Sequence, residues 1–113
     1  MPHFLVQFSY ASGSIKGMID HPEVDRAAQA SAMVASLGAR LLGYWYAFGP
    51  FDGVVLMEAP DCGAAASIAM AIRATGEVSR LETTILLTMD EARQAMRNTA
   101  AATHLPPGEG VKK

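Results

Sequence analysis

The chain has 113 residues, 50% of them hydrophobic, and a formal net charge of -2. A chain of this size can form one domain around one core without a metal or disulfide bonds. Lysine and arginine do not cluster before the last two residues, so nothing in the charge pattern indicates nucleic acid or an anionic membrane as a partner. A small neutral or apolar partner is more compatible with this composition.

The single cysteine, Cys62, excludes an internal disulfide bond. The first residues contain neither a basic leader nor a long apolar run. No run in the chain approaches the roughly 20 apolar residues that cross a bilayer. These features predict a cytoplasmic protein without a membrane segment.

The first elements follow from hydrophobic alternation. Large apolar residues at positions 4, 6, 8 and 10 predict a half-buried strand over residues 3–10. Residues 11–20 are expected to form a short helical turn. His21 and Pro22, with two acids after them, predict a longer helix that ends near residue 37, before Gly38. The predicted core-facing stripe of this helix is Val24, Ala27, Ala28, Val34 and Leu37.

Two further strands are predicted over residues 40–48 and 51–59, joined by a turn at Gly49 and Pro50. Asp61 is expected to cap a second main helix that runs to residue 74. This helix consists mostly of alanine and is expected to end at Gly76.

The remaining sequence predicts a fourth strand over residues 78–88 and a last helix over residues 90–99. Thr88 and Glu91 have the spacing of a capping box at the start of that helix. The final residues lack periodicity and contain two prolines, which predicts one domain over residues 1–99 and a flexible tail over residues 100–113.

The order β-α-β-β-α-β predicts an α+β, ferredoxin-like fold, in which both main helices cover one face of a four-stranded antiparallel sheet. Several strands have apolar residues on both sides, such as Phe4 and Leu5, or Ile85 and Leu86. A monomer would leave the second apolar face exposed to water. We therefore expect a homodimer in which two sheets pack face to face.

Residues 44–61, which span the predicted hairpin and the start of the second main helix, form a recognisable motif. Residues 44–52 have the sequence YWYAFGPFD, then come the apolar residues GVVLM and the residues EAPD at 58–61. This pattern resembles that of the GYD-domain family of small bacterial and archaeal proteins, and the resemblance extends over residues 3–95. The chain differs from the family in having Phe51 where the family's naming tyrosine would stand, so any role of that hydroxyl is absent here.

The resemblance implies a dimeric α+β barrel, in which small ligands enter between sheet and helices. Proteins of that superfamily include monooxygenases, isomerases and stress-responsive binding proteins. The resemblance supplies no activity for the GYD branch itself, because a fold does not determine a reaction.

Three residues are candidates for catalysis: His3, Asp52 and Tyr46. His3 begins the first strand and is a candidate for proton transfer. Asp52 follows the predicted turn, where its carboxylate would either accept backbone hydrogen bonds or act as a base. Tyr46 would donate a hydrogen bond to a substrate.

The same sequence predicts a ligand cavity. Both main helices present small residues toward large residues of the sheet, which permits either close packing or an open space. The predicted lining of that space is Phe8, Trp45, Tyr46 and Met70, and an apolar or aromatic molecule would fit it. Alternation places Tyr44 and Tyr46 on one face and Trp45 on the other, so only one set can line the cavity, and the sequence leaves open which.

Other functional sites have little support. The three histidines are far apart and have no metal-ligand spacing, so we predict neither a metal nor a cofactor. Cys62 is expected to fill space at a helix start, and Glu58 and Glu82 to form ion pairs with Arg40 or Arg80.

Three hypotheses follow. The first is a homodimeric module that binds a small apolar or aromatic molecule. The second is a cofactor-independent isomerase, lyase or monooxygenase acting on a small organic substrate. The third is a purely structural protein whose dimers form larger assemblies through their edge strands.

Overall fold

The structure is a computed structural model that describes residues 1–103 and 106–108. The elements are β1 (His3–Tyr10), α1 (Ser12–Asp20), α2 (Arg26–Ala35), β2 (Arg40–Tyr46), β3 (Gly53–Glu58), α3 (Cys62–Ala74), β4 (Val78–Leu86) and α4 (Met89–Asn98), followed by a 3-10 turn over Thr99–Ala101. The four strands form one antiparallel sheet in the order β2-β3-β1-β4. The predicted α+β, ferredoxin-like fold is confirmed.

The core lies between one face of the sheet and the helices α2 and α3. Alternate residues of β1, from Phe4 to Tyr10, are buried there, and Met57 and Ile68 are almost completely enclosed. We call this side of the sheet the helix face. We call the opposite side the open face; its residues on β1 and β3, such as Leu5 and Leu56, alternate with the buried ones and are partly exposed.

Several predicted helix and strand ends are confirmed. Asp61 accepts a hydrogen bond from the backbone N–H of Ala64 at the start of α3. Thr88 and Glu91 form the predicted capping box of α4. Gly38 and Gly76 follow α2 and α3 after short turns, and both have a positive φ just before the next strand.

The prediction for α2 was wrong in its start and in its core-facing stripe. The helix begins at Arg26 because the Asp25 carboxylate accepts the N–H of Ala28 and caps it there. Val24 therefore precedes the helix and is exposed, Leu37 follows it and is also exposed, and only Val34 of the predicted stripe is buried.

A β-bulge in β2 decides which residues share a face. Leu41 pairs with Met57 and Tyr44 pairs with Val55, with a register shift between Leu41 and Gly43. The extra residue lets Leu41 and Tyr44 both point to the helix face although they are three positions apart. Tyr46 points to the same side, and Trp45 points to the open face.

Half of the predicted tail, residues 104–105 and 109–113, lies outside the described residues. Within the described part of the chain, no helix is long and apolar enough to cross a membrane.

Candidate ligand-binding site

A cavity of about 390 Å³ lies between the helix face of the sheet and the helices α2 and α3. Pockets that bind small molecules have volumes of roughly 300–1,000 Å³, whereas voids in a packed core seldom exceed one water molecule. The cavity is therefore too large to be a packing defect. Gln29, Ala71 and Thr75 belong to its lining and are exposed, so they mark where it meets solvent.

One face of α2 forms the first wall. It contributes Arg26, Gln29, Ala30, Met33 and Val34. These positions are three and four residues apart, so they lie on one side of the helix. The side chain of Ala30 is small and leaves the space open at the middle of this wall.

The sheet and α3 form the other walls, which are almost entirely apolar. Val6, Phe8, Val55 and Met57 cover the floor, and Ile68 and Ile72 of α3 close the far side. Phe8 is buried and lies edge-on to both Tyr10 and Tyr44 at centroid distances of 5.2 and 5.9 Å. These contacts hold the aromatic rings in fixed positions around the space.

Polar groups gather at one end of the cavity. The hydroxyls of Tyr10 and Tyr44 form a hydrogen bond with each other, across a separation of 34 residues in sequence. Beside them, Nη2 of Arg26 donates to Glu77 Oε2 at 3.0 Å, and Nη1 donates to Gln29 Oε1 at 2.7 Å. We call Tyr10, Tyr44, Arg26 and Glu77 the polar end.

The protonation states of the polar end follow from its surroundings. Burial raises the pKa of Tyr10, and the hydrogen bond with Tyr44 raises it further. Burial also raises the pKa of Tyr44, although its bond with Tyr10 and the nearby charge of Arg26 act against this. Burial by itself would lower the pKa of Arg26, but Glu77 outweighs burial and the net shift is upward. At neutral pH both phenols are therefore protonated and Arg26 is charged.

One donor of the polar end lacks a hydrogen-bond partner among the described residues. The Nε atom of Arg26 is buried and makes no hydrogen bond with the described residues. An unpaired buried donor costs roughly 1–3 kcal/mol, so an acceptor supplied from outside the chain would be stabilising at this position.

A second cavity of about 300 Å³ lies on the other side of the polar end. It is formed by α1, by the loop before α2 and by Tyr46. Tyr10, Arg26 and Glu77 of the polar end line both cavities, together with Gln29, whereas Tyr44 lines only the first.

The predicted ligand-binding residues are distributed over both faces of the sheet. Phe8 lines the main cavity, and Tyr46 lines the second one. Trp45 lies on the open face and is 55% exposed, and Met70 is 63% exposed on the outer side of α3. Neither lines either of the two cavities described in this part of the chain. The cause is the orientation of β2, which the sequence left open, and the helical phase of α3.

The predicted catalytic residues do not form one group, because His3 and Asp52 lie at opposite ends of β1. His3 lies on the open face, where its Nε2 is 3.7 Å from Glu58 Oε2. Asp52 lies beyond the opposite end of β1, where its Oδ2 accepts the backbone N–H of Tyr10 at 2.9 Å. Its own N–H donates to the carbonyl of Phe8. Asp52 thus connects the β2-β3 turn to β1, while Tyr46 lies on the helix face.

One predicted ion pair forms on the open face. Arg40 Nε is 2.9 Å from Glu58 Oε1, which is one of the ion pairs that the sequence suggested. Arg80 lies over the ring of Phe51, 4.1 Å from its centroid. Within the described residues, no three acidic, histidine or cysteine side chains are close enough to hold a metal ion.

Sequence reasoning missed the polar end as a unit. Arg26 and Glu77 are 51 residues apart and only tertiary packing brings them together. The sequence contained a weak local indication of the polar end in Tyr10 and Tyr44. Each carries a polar hydroxyl on a strand, at a position where alternation with exposed neighbours predicts a buried side chain.

Comparison with known proteins decides the family. The GYD domain family matches residues 4–96. The chain belongs to the GYD domain family. The match covers all of the sheet except His3, all of α1, α2 and α3, and most of α4, and so confirms the resemblance noted in the motif around Gly49. Among curated proteins, none matches the chain.

Solved structures share the fold of this GYD-domain protein. TTHA0845 from Thermus thermophilus is 18% identical, with a TM-score of 0.52, over 78% of this chain and 95% of that one. FFRP-DM1 is 15% identical, with a TM-score of 0.50, over 77% and 100% of the two chains. AsnC from E. coli is 11% identical, with a TM-score of 0.50, and the match covers 77% of this chain but only 51% of AsnC. At these identities the likeness shows the fold alone.

Proposed function

We propose that this GYD-domain protein binds a small, mostly apolar molecule between its sheet and its helices. The observation that carries the proposal is the cavity of about 390 Å³, whose apolar walls end in one group of polar side chains. Both its volume and its lining are typical of small-molecule sites. Removal of the ligand's apolar surface from water would supply most of the binding free energy.

A matched pair of variants tests the proposal. Ala30 lines the cavity, whereas Ala32, two residues later on the same helix, is exposed and outside it. We expect 2-ethylnaphthalene to bind the wild-type protein in a fluorescence titration. Ala30→Phe should weaken binding at least tenfold because the new ring occupies the space, and Ala32→Phe should change it less than twofold. Absence of binding to the wild type, or equal binding to Ala30→Phe, would contradict the proposal.

We also propose that two copies associate through the open face. Apolar residues occupy neighbouring positions there, and they are Leu5, Trp45, Val54, Leu56 and Leu86. A second sheet packed against this face would remove them from water. A dimer is expected, and larger assemblies through the edge strands β2 and β4 are the alternative that a mass measurement would distinguish.

A second candidate function is catalysis without a cofactor. It is favoured by the two protonated hydroxyls at the polar end, since such donors can stabilise negative charge that develops on a substrate oxygen. A suitable reaction is proton exchange next to a carbonyl group. In this reaction the Glu77 carboxylate of the same cavity takes the α-proton, exchanges it with solvent and returns it, while the hydroxyls stabilise the enolate oxygen. We would follow deuterium incorporation into the methyl group of 2-acetylnaphthalene by NMR.

Variants distinguish catalysis by the tyrosines of the polar end from catalysis by the residues that the sequence predicted. Loss of exchange in the double variant Tyr10→Phe/Tyr44→Phe would support catalysis at the polar end, and no exchange above the buffer rate in the wild type would exclude this reaction. The roles predicted for His3, Asp52 and Tyr46 stay a prediction. Exchange that survives both His3→Ala and Asp52→Ala would remove the first two from the mechanism.

A further inference from the structure

The polar end has an unusual balance of charges and donors for a ligand site. Arg26 contributes a positive charge, but Glu77 compensates it at 3.0 Å. Gln29 occupies a second nitrogen of the guanidinium group. The positive charge of Arg26 is therefore already neutralised within the site. A ligand carboxylate buried beside it would lose its hydration and would find no unpaired positive charge in return.

Donors nevertheless remain. Two hydroxyl groups that bond to each other use one of their two hydrogens, so the pair of Tyr10 and Tyr44 keeps one hydrogen for another acceptor. Arg26 Nε–H is a further donor without a partner among the described residues. Since burial raises the pKa of both phenols, these hydrogens are retained at neutral pH.

We infer that the ligand is an uncharged molecule with an apolar body and a hydrogen-bond-accepting oxygen, such as a ketone or quinone carbonyl, that faces Tyr10, Tyr44 and Arg26. This inference rests on the proposed function, because it names the class of molecule that the same cavity takes. The apolar body lies against Phe8, Met57 and Ile68, and the oxygen points to the polar end.

Three probes with one ring system distinguish the classes. They are 2-acetylnaphthalene, which has a neutral carbonyl; 2-naphthoate, which has a carboxylate; and 2-ethylnaphthalene, which has no acceptor. We expect the wild-type protein to bind the ketone at least fivefold more tightly than the carboxylate at neutral pH. Tighter binding of the carboxylate would overturn the inference.

The double variant Tyr10→Phe/Tyr44→Phe isolates the hydrogen bond. It removes both hydroxyls and keeps both rings, and exchange of both partners of a buried hydrogen bond for apolar groups is often nearly neutral for stability. We expect affinity for 2-acetylnaphthalene to fall about fivefold to tenfold, as for the loss of one hydrogen bond. Affinity for 2-ethylnaphthalene should stay within twofold. An unchanged affinity for the ketone would overturn the inference.

An infrared measurement on the wild-type protein tests the same hydrogen bond without depending on whether the double variant folds. The carbonyl stretch of bound 2-acetylnaphthalene, labelled with carbon-13, should appear at a lower wavenumber than in hexane because the oxygen accepts a hydrogen bond. A stretch at the hexane position would overturn the inference. Failure of 2-ethylnaphthalene to bind the wild type would instead contradict the proposed function itself.

Discussion

Gly53 shows how the floor of the cavity depends on one missing side chain. It pairs with Phe8 in the sheet, and a Cβ atom at this position would lie 2.5 Å from a carbon of the Phe8 ring. The ring is enclosed by Tyr10 and Tyr44, so it has little room to move aside. Glycine is needed here for close approach.

Gly53→Ala should therefore lower the free energy of unfolding by about 1–3 kcal/mol, as for other overpacked sites. The measurement is urea unfolding followed by circular dichroism. Gly17→Ala is the control, because a Cβ atom there meets nothing within 4 Å and alanine favours the helix by roughly 1 kcal/mol. Equal stability of Gly53→Ala and the wild type would contradict this account of the floor.

Asp52 connects the turn after β2 to the end of β1 through the backbone N–H of Tyr10. Asp52→Ala should lower the free energy of unfolding by about 1–3 kcal/mol, because it leaves this N–H without its partner. Asp52→Asn keeps an oxygen acceptor and should cost less. Thermal unfolding of the three proteins checks the order, and a loss in Asp52→Asn as large as that in Asp52→Ala would contradict it.

Local sequence was sufficient for some residues and insufficient for others. Asp61 was predictable as a helix cap because a cap interacts only with the next turn of the chain. The pairing of Arg26 with Glu77 was not, since no periodic pattern links residues 51 positions apart. The cavity was expected from small helix residues, but its polar end was not.

The helix α2 shows how the residue at which a helix begins affects which of its side chains line the cavity. The sequence around His21 and Pro22 predicted an earlier start, and that phase would have turned a different stripe toward the sheet. The capping bond from Asp25 to Ala28 fixes the start at Arg26. This phase brings Arg26 and Ala30 into the cavity wall.

The helix α4 supplies a pH prediction. The Thr88 backbone and side chain lower the pKa of the Glu91 carboxyl below its ordinary value of 4.5. A carboxyl whose pKa is lower in the folded than in the unfolded protein stabilises the folded state. This stabilisation is complete at a pH above the pKa of the unfolded protein, and it is lost as the pH falls through the pKa of the folded protein. The first turn of α4 should therefore fray below about pH 4, a bound estimated from the ordinary pKa of glutamate.

Carbon chemical shifts of residues 89–93 between pH 6 and pH 2.5 measure this fraying. Glu91→Gln is the control, because glutamine can also occupy this position of a capping box and does not titrate. In this control the backbone carbon shifts of Ala92 should stay constant over the same range. The same pH dependence in Glu91→Gln would assign the fraying to another group, such as Asp90.

On the scale of the whole molecule, the fold followed from the order of strands and helices, and the open face followed from strands that are apolar on both sides. The orientation of β2 could not be predicted, because its two faces are both aromatic and a bulge breaks the alternation between Leu41 and Gly43. That orientation decides that Trp45 belongs to the open face and Tyr44 to the cavity.

The proposed association is tested at Trp45, which is 55% exposed in the single chain. Trp45→Glu should convert the dimer to a monomer in sedimentation experiments, because a second sheet would bury the new charge without a partner. Met70 is 63% exposed on α3, and Met70→Glu should leave the protein a dimer. A monomeric wild type, or a dimeric Trp45→Glu variant, would contradict the sheet-to-sheet arrangement.

Binding of a small apolar molecule in the cavity between sheet and helices can be measured directly through the seven methionines. With carbon-13 in the methionine methyl groups, 2-acetylnaphthalene is titrated into the protein and NMR records each methyl signal. Met33 and Met57 line the cavity, so ring currents of the bound naphthyl group should shift their signals. Met70, Met89 and Met96 are exposed outside it, and their signals should stay in place. Shifts confined to these exposed methionines, or no shift at saturating probe, would contradict binding in this cavity.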